Sequence, residues 1–187
     1  MVDWDKQCQV FKQQVEGVLN DGFDFINIII TQGPSDNFLN AVRRVGAYEL
    51  MSYYWGADYS DPETWTDPFS ADSSYSFIFK STDPETQALY AEYTELVAAA
   101  KAITDDMDAR YTAFAKAEAF LLDHAFAVPF SISNRSYQMC NLNVFEGQYA
   151  SFGLANQRYK DQHLYSSSMG MEEYQAAYAE WQSKKAG

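Results

Sequence analysis

Cysteine is scarce in this chain of 187 residues: only Cys8 and Cys140 occur, far apart and outside any CxxC. The two histidines, His124 and His163, are isolated as well. A zinc site, which needs Cys and His at ligand spacing, is therefore not expected. Cys8 fits the apolar face of a helix and reads by default as a buried free thiol, and a Cys8–Cys140 disulfide would require an oxidising compartment. Basic residues are few: 13 Lys and Arg stand against 26 Asp and Glu, a formal net charge of −13. That balance argues against phosphate-backbone binding, so no nucleic-acid partner is expected, and against adsorption to anionic lipid. It suits a dispersed protein that attracts cations.

Long apolar runs are lacking too. The longest fall far below the roughly 20 residues that a membrane helix requires. The opening residues Met1 to Gln7 contain no apolar core of a signal peptide. The chain is expected to be soluble, with any export signal of a longer parent lying outside it. There is no GxSxG, GxxxxGK[ST] or GxGxxG. No catalytic residue and no cofactor is therefore expected.

Aromatic residues are plentiful. Hydrophobic residues make up 47% and aromatics 17%, with 14 Tyr, 13 Phe and 4 Trp, enough for one sizeable core or two small ones. Tyrosine is amphipathic and suits walls that face both protein and water or ligand.

The hydrophobic pattern alternates between helix and strand. Asp3 can cap a first helix whose stripe is Trp4, Cys8, Phe11, Val15 and Val18, closed by Asn20-Asp21-Gly22. Phe23 to Thr31 reads as a buried strand. A short helix through Phe38, Leu39 and Val42 ends at Gly46, and Ala47 to Trp55 reads as a second strand. Residues 56–76 read as a long loop, with Phe77 to Phe79 a short strand or anchor. Asp83-Pro84 opens a helix with Leu89, Tyr93, Leu96, Val97, Ala100 and Ile103 inward. A further helix from Asp105 or Asp106 turns Met107, Tyr111, Phe114, Ala117 and Leu121 inward. The two are expected to form an antiparallel hairpin. Phe126 to Ile132 reads as a strand that Pro129 confines to an edge or bulge. A last helix starts near Met171. The pattern predicts an α/β fold in which Phe23–Thr31 and Tyr48–Trp55 are neighbours in one sheet, covered by the helices at 4–19 and 84–122.

The stretch Tyr53 to Trp65 is the best candidate for function. An apolar run ends at Gly56, and Asp58, Asp61 and Asp67 follow among Trp55, Tyr59 and Trp65. A carboxylate flanked by rings can hold an amine while the rings cover an apolar group or the cation. A buried strand followed by an acidic surface turn fits the same residues. Asp58 with Asp61 also offers the paired carboxylates of glycoside chemistry, as any acidic loop does. Asp83, Asp105 and Asp106 are better explained as helix caps.

Three stretches resemble one family. Trp55-Gly56-Ala57-Asp58-Tyr59-Ser60-Asp61-Pro62 is similar to a strand-end pattern of the bacterial oligopeptide- and dipeptide-binding proteins, the family-five solute-binding subunits of ABC importers. Arg110 to Ser131 is similar to that family's long helix with Ala-Glu and a following Val-Pro strand. Met169 to Trp181 is similar to the ending of many Gram-positive members. The resemblance implies part of the C-terminal lobe of a type II periplasmic-binding-protein-like fold, with a mixed sheet flanked by helices. It divides the chain into an incomplete ligand-binding lobe at 1–134 and, at 135–187, a return segment toward a missing first lobe, with the crossing near Ser131 to Tyr137. It implies an oligopeptide or dipeptide ligand, ABC permease membrane subunits as partners of the parent, and an extracellular site as a surface lipoprotein or periplasmic protein. Asp58 would pair with the ligand α-ammonium beside Trp55. The backbone at Tyr54, Gly56 and Ala57 would line the peptide main chain. Ser52 stands where some members carry an Arg that meets a ligand carboxylate, so carboxylate capture and peptide length stay open. Two other readings stand beside this one: a relative binding a non-peptide solute such as nickel, a sugar or an amine, and an acidic carbohydrate-active hydrolase.

Overall fold

A computed structural model describes residues 4–73, 80–132, 139–147, 149, 153 and 159–185. Two compact units can be distinguished, Met1–Ala47 and Tyr48–Gly187.

In the first unit, α1 spans Trp4–Asn20 with Asp5 in its first turn. Asp21 and Gly22, both at positive φ, end it. The chain then runs without helix or strand, and the side chains of α1 meet its backbone. The Asn20 carboxamide accepts the Ile26 N–H at 2.8 Å and donates to the Ile26 carbonyl at 2.9 Å. Glu16 accepts the Ile28 N–H at 2.6 Å, and Lys12 donates to the Ile28 carbonyl and to Glu16. A π-helical turn at Leu39–Arg43 follows, and Gly46 at positive φ closes it.

The second unit is built on a helical hairpin. Asp83 caps α3 (Pro84–Ala102) by accepting the Thr86 N–H at 2.8 Å, and Pro84 takes the first helical position, where its missing N–H costs nothing. Asp106 caps α4 (Met107–Asp123) by accepting the Ala109 N–H at 2.9 Å. The hairpin core is Tyr93, Val97 and Ala100 against Phe114, Ala117 and Leu121. Met107 and Tyr111, expected inward, lie on the exposed side, and Arg110 takes the buried position one turn before Phe114 and two before Ala117. His124 ends α4; its N–H donates to the helix and its ring packs on Phe120 at 4.3 Å.

The expected loop at 56–76 contains α2 (Glu63–Thr66) and a 3-10 turn at Asp67–Phe69. The buried Tyr93 hydroxyl donates to the Thr66 carbonyl at 2.8 Å and ties this turn to α3. Burial, followed by the charges of Asp67 and Glu118, pushes the Tyr93 hydroxyl far above its ordinary range, so it stays a donor.

Near the C-terminus, Phe145 is buried among Tyr149 and one face of α5 (Met171–Lys185), with ring distances of 5.0 Å to Tyr174 and 5.4 Å to Tyr178. Glu146 gathers the Tyr165 hydroxyl at 2.5 Å and the His163 N–H at 3.0 Å, and these donors hold its carboxyl below the usual range.

The α/β expectation is overturned. Among the described residues no sheet forms, and the β-type pairing they show is one antiparallel bridge, Leu142 with Leu164. Neither Phe23–Thr31 nor Tyr48–Trp55 forms a strand, so no mixed sheet flanked by helices is present among the described residues. The reason is partner supply. β-branched and aromatic residues favour extended backbone, but a ladder needs a second strand. Side chains of α1 satisfy Ile26 and Ile28 instead. In Phe126–Ile132, Val128, Phe130 and Ile132 alternate as expected for a strand, yet lie 77%, 89% and 95% exposed. Phe77 to Phe79 and most of the expected crossing near 131–137 lie outside the described residues. Cys8 and Cys140 are both free thiols, and Cys8 is half-buried rather than buried.

Tyr93→Phe tests the tie between hairpin and loop. It leaves the buried Thr66 carbonyl without its donor and is expected to destabilise the chain by about 1–2 kcal/mol. Urea unfolding followed by far-UV circular dichroism measures the loss, and an unchanged midpoint would refute the tie.

Candidate functional site

The stretch Tyr53–Trp65 folds back on itself around Thr64. The Trp55 indole N–H donates to the Thr64 carbonyl at 2.5 Å, and the Asp58 N–H donates to Thr64 Oγ1 at 3.2 Å. Thr64 is buried and so is Ala57, whereas Asp58 and Gly56 are exposed. Trp55 is half-buried, and Tyr54, Tyr59 and Trp65 keep 64%, 51% and 48% of their surface exposed. The five expected site residues, Tyr54, Trp55, Gly56, Ala57 and Asp58, therefore lie on one loop pinned through Thr64, on which Asp58 and Tyr54 are exposed.

The loop is backed closely. Gly153 sits at positive φ, and a Cβ there would strike the carbonyl oxygen of Asp58 and lie 2.7 Å from its carbon. Only glycine fits such an approach without moving the loop.

Asp61 does not share the role of Asp58. Its carboxylate takes both arms of the Arg110 guanidinium, from Nε at 3.1 Å and from Nη2 at 2.9 Å. It also accepts the Glu63 N–H at 2.9 Å, the turn role that the sequence suggested. Arg110 Nη1 donates to the carbonyls of Ala100, Lys101 and Ile103 at 3.2, 3.0 and 2.9 Å, closing the C-terminal end of α3. Its guanidinium stacks 4.9 Å from the Phe114 ring centre. Lys101 extends the network to Glu63 and Asp67, both at 3.0 Å.

These bonds set the ionisation of the groups. Partial burial works to raise the Asp61 carboxyl, but the hydrogen bonds from Arg110 and from the Glu63 N–H, with the Arg110 charge, outweigh it and hold Asp61 below its ordinary value. The Asp61 hydrogen bond raises Arg110 above its ordinary value, and Glu63 and Asp67 raise Lys101. A glycosidase acid needs a carboxyl held protonated near neutrality. Asp61 is shifted the opposite way and its oxygens are taken, so the Asp58/Asp61 hydrolytic pair is not what this arrangement supports.

Sequence reasoning missed Arg110. The signal was present: counting back from Leu121, Ala117 and Phe114 along the helical period lands on position 110.

No family model matches the chain. Three curated relatives do. The oligopeptide-binding protein AmiA of Streptococcus pneumoniae is 30% identical over 96% of this chain. The chain is similar to part of that oligopeptide-binding protein. SarA of Streptococcus gordonii, at 25% identity over 97% of the chain, and AliA of Streptococcus pneumoniae, at 28% over 96%, carry the same description. The resemblance found in the sequence motifs is thus borne out, and the relatives are named for binding rather than catalysis. The chain spans 29–30% of the length of these relatives.

Asp61 gives the fold an acid dependence. Its pKa is lowered in the folded chain, so its stabilising contribution is present above the unfolded value, about 4, and is lost as pH falls through the folded value. Chemical unfolding between pH 6 and roughly 3 should show stability falling at the acid end, and Asp61→Asn should flatten that fall. A variant with the same acid slope as the wild type would remove Asp61 from the account.

Proposed function

We propose that this chain is the ligand-binding C-terminal lobe of a solute-binding protein that captures oligopeptides or dipeptides for an ABC importer. On this reading residues 1–134 belong to the lobe, and 135–187 form the return segment toward a first lobe together with α5. Asp58 anchors the ligand α-ammonium, Trp55 lies beside it, and the backbone of Tyr54, Gly56 and Ala57 runs along the peptide main chain. Such a site takes affinity from main-chain bonds and charge, and leaves side-chain identity loosely read. Capture then follows from closure of two lobes on the peptide, without chemistry. The parent works outside the membrane, as a surface lipoprotein or in a periplasm, against the permease subunits.

The observation that carries this reading is the contrast between two neighbouring carboxylates. Asp61 is consumed by Arg110, whereas Asp58 projects into solvent from a loop pinned at its own N–H by Thr64. An exposed carboxylate on a loop that also exposes Tyr54 and Tyr59 suits an amine. The relatives named as oligopeptide-binding proteins supply the class of amine-bearing ligand.

Asp58→Asn in the full-length protein tests the anchor. It keeps the shape and removes the charge. Leaving an ammonium unpaired in a desolvated cleft costs roughly 2–5 kcal/mol. At about 1.4 kcal/mol per decade, that is a loss of some 30-fold to several thousand-fold in affinity. N-acetylation of the peptide should cost the wild type a similar amount and the variant little more, because both changes remove one interaction. Calorimetry with free and acetylated hexapeptide libraries reads this directly. Equal binding of the two libraries by the wild type would sink the amine-anchor role and favour a non-peptide solute.

A further inference from the structure

Arg110 occupies a position on α4 that the helical period assigns to the core, and only 8% of its surface remains exposed. A guanidinium there is costly to bury unless its donors are met. They are met by two separate sets of acceptors. Nη1 takes the three carbonyls at the end of α3, which by itself would close the hairpin. Nε and Nη2 leave the hairpin and take the two oxygens of Asp61.

From Asp61 the chain turns at once into α2. Its Thr64 holds the Asp58 N–H through Oγ1 and the Trp55 indole through its carbonyl. Rigidity therefore passes from the hairpin to Asp61, then to Thr64, then to both residues of the proposed anchor. The geometry points to Arg110 and Asp61 as positioning residues that fix the direction in which the Asp58 carboxylate leaves the backbone. This inference rests on the reading of Asp58 as the ammonium anchor. A lysine cannot stand in for Arg110, because one ammonium cannot meet two carboxylate oxygens in a plane while also holding three carbonyls.

The experiment compares the wild-type full-length protein with Arg110→Lys and Asp61→Asn. Arg110→Lys preserves the charge, so a loss cannot be assigned to a weaker or stronger field at Asp58. Asp61→Asn leaves Arg110 on the α3 carbonyls and keeps the hairpin closed; it carries both readouts alone if the lysine variant does not fold. The first readout is hydrogen–deuterium exchange by mass spectrometry. Peptides covering residues 54–66 should exchange about tenfold faster in both variants, while those of α3 and α4 stay at wild-type rates in Asp61→Asn, which keeps the three carbonyl bonds. The second is equilibrium dialysis with a hexapeptide library bearing free amino termini and with the same library acetylated. Retention of the free library should fall about tenfold, and retention of the acetylated one should hold. A general loss of stability would weaken both libraries together.

Unchanged exchange at 54–66 overturns the inference, and so does a loosened loop that retains the free library as well as the wild type does. If the wild type itself does not distinguish the two libraries, the ammonium reading fails. The brace is then judged on exchange alone: faster exchange at 54–66 upholds it, and wild-type rates overturn it.

Discussion

One guanidinium organises the better-packed part of this chain. Arg110 joins three things that are otherwise only adjacent in sequence or packing: the end of α3, the start of α4 and the acidic turn at 61–63. The apolar contacts of Tyr93, Val97, Phe114 and Leu121 supply burial, but burial is non-directional. The planar fork adds direction, because five donors in a fixed plane accept few arrangements of partners. Asp61, Glu63, Asp67 and Lys101 then form one alternating network around it, so an acidic loop in a strongly acidic chain lies against the hairpin without repelling itself.

Much of the helical structure was legible in the sequence, for local reasons. Asp83 and Asp106 act as caps, Pro84 opens its helix, and the charges at the two ends of α5 match its dipole. Each of these effects is settled within one or two turns of chain. That no sheet forms among the described residues was not legible, because pairing is a property of two segments, and Phe23–Thr31 carries its β propensity whether or not a partner arrives. Side chains of Lys12, Glu16 and Asn20 answer its backbone instead, and no periodicity rule anticipates that.

The candidate site rests on the same kind of local reading, with a similar limit. Position and composition singled out Trp55 and Asp58. Composition alone did not separate Asp58 from Asp61, both aspartates in one acidic turn; the family resemblance named Asp58 as the anchor and left Asp61 a turn residue. What separates them is Arg110, distant in sequence and hidden within a helix whose apolar stripe drew attention to Met107 and Tyr111. A charged residue at a core position is a stronger pointer than the apolar residues on either side of it, because it needs a partner and the partner is then a marked residue too.

Gly153 bears on the order in which this region assembles. Contacts within the α3–α4 hairpin join residues close in sequence and close short loops. The approach of Gly153 to Asp58 joins residues much farther apart, so closing that loop sacrifices more chain entropy. The hairpin is thus the local frame, and the backing of the Asp58 loop is the contact with the longest loop to close. The same residue that leaves room behind the loop makes the seating of Asp58 a report on whether the distal part of the chain has come home.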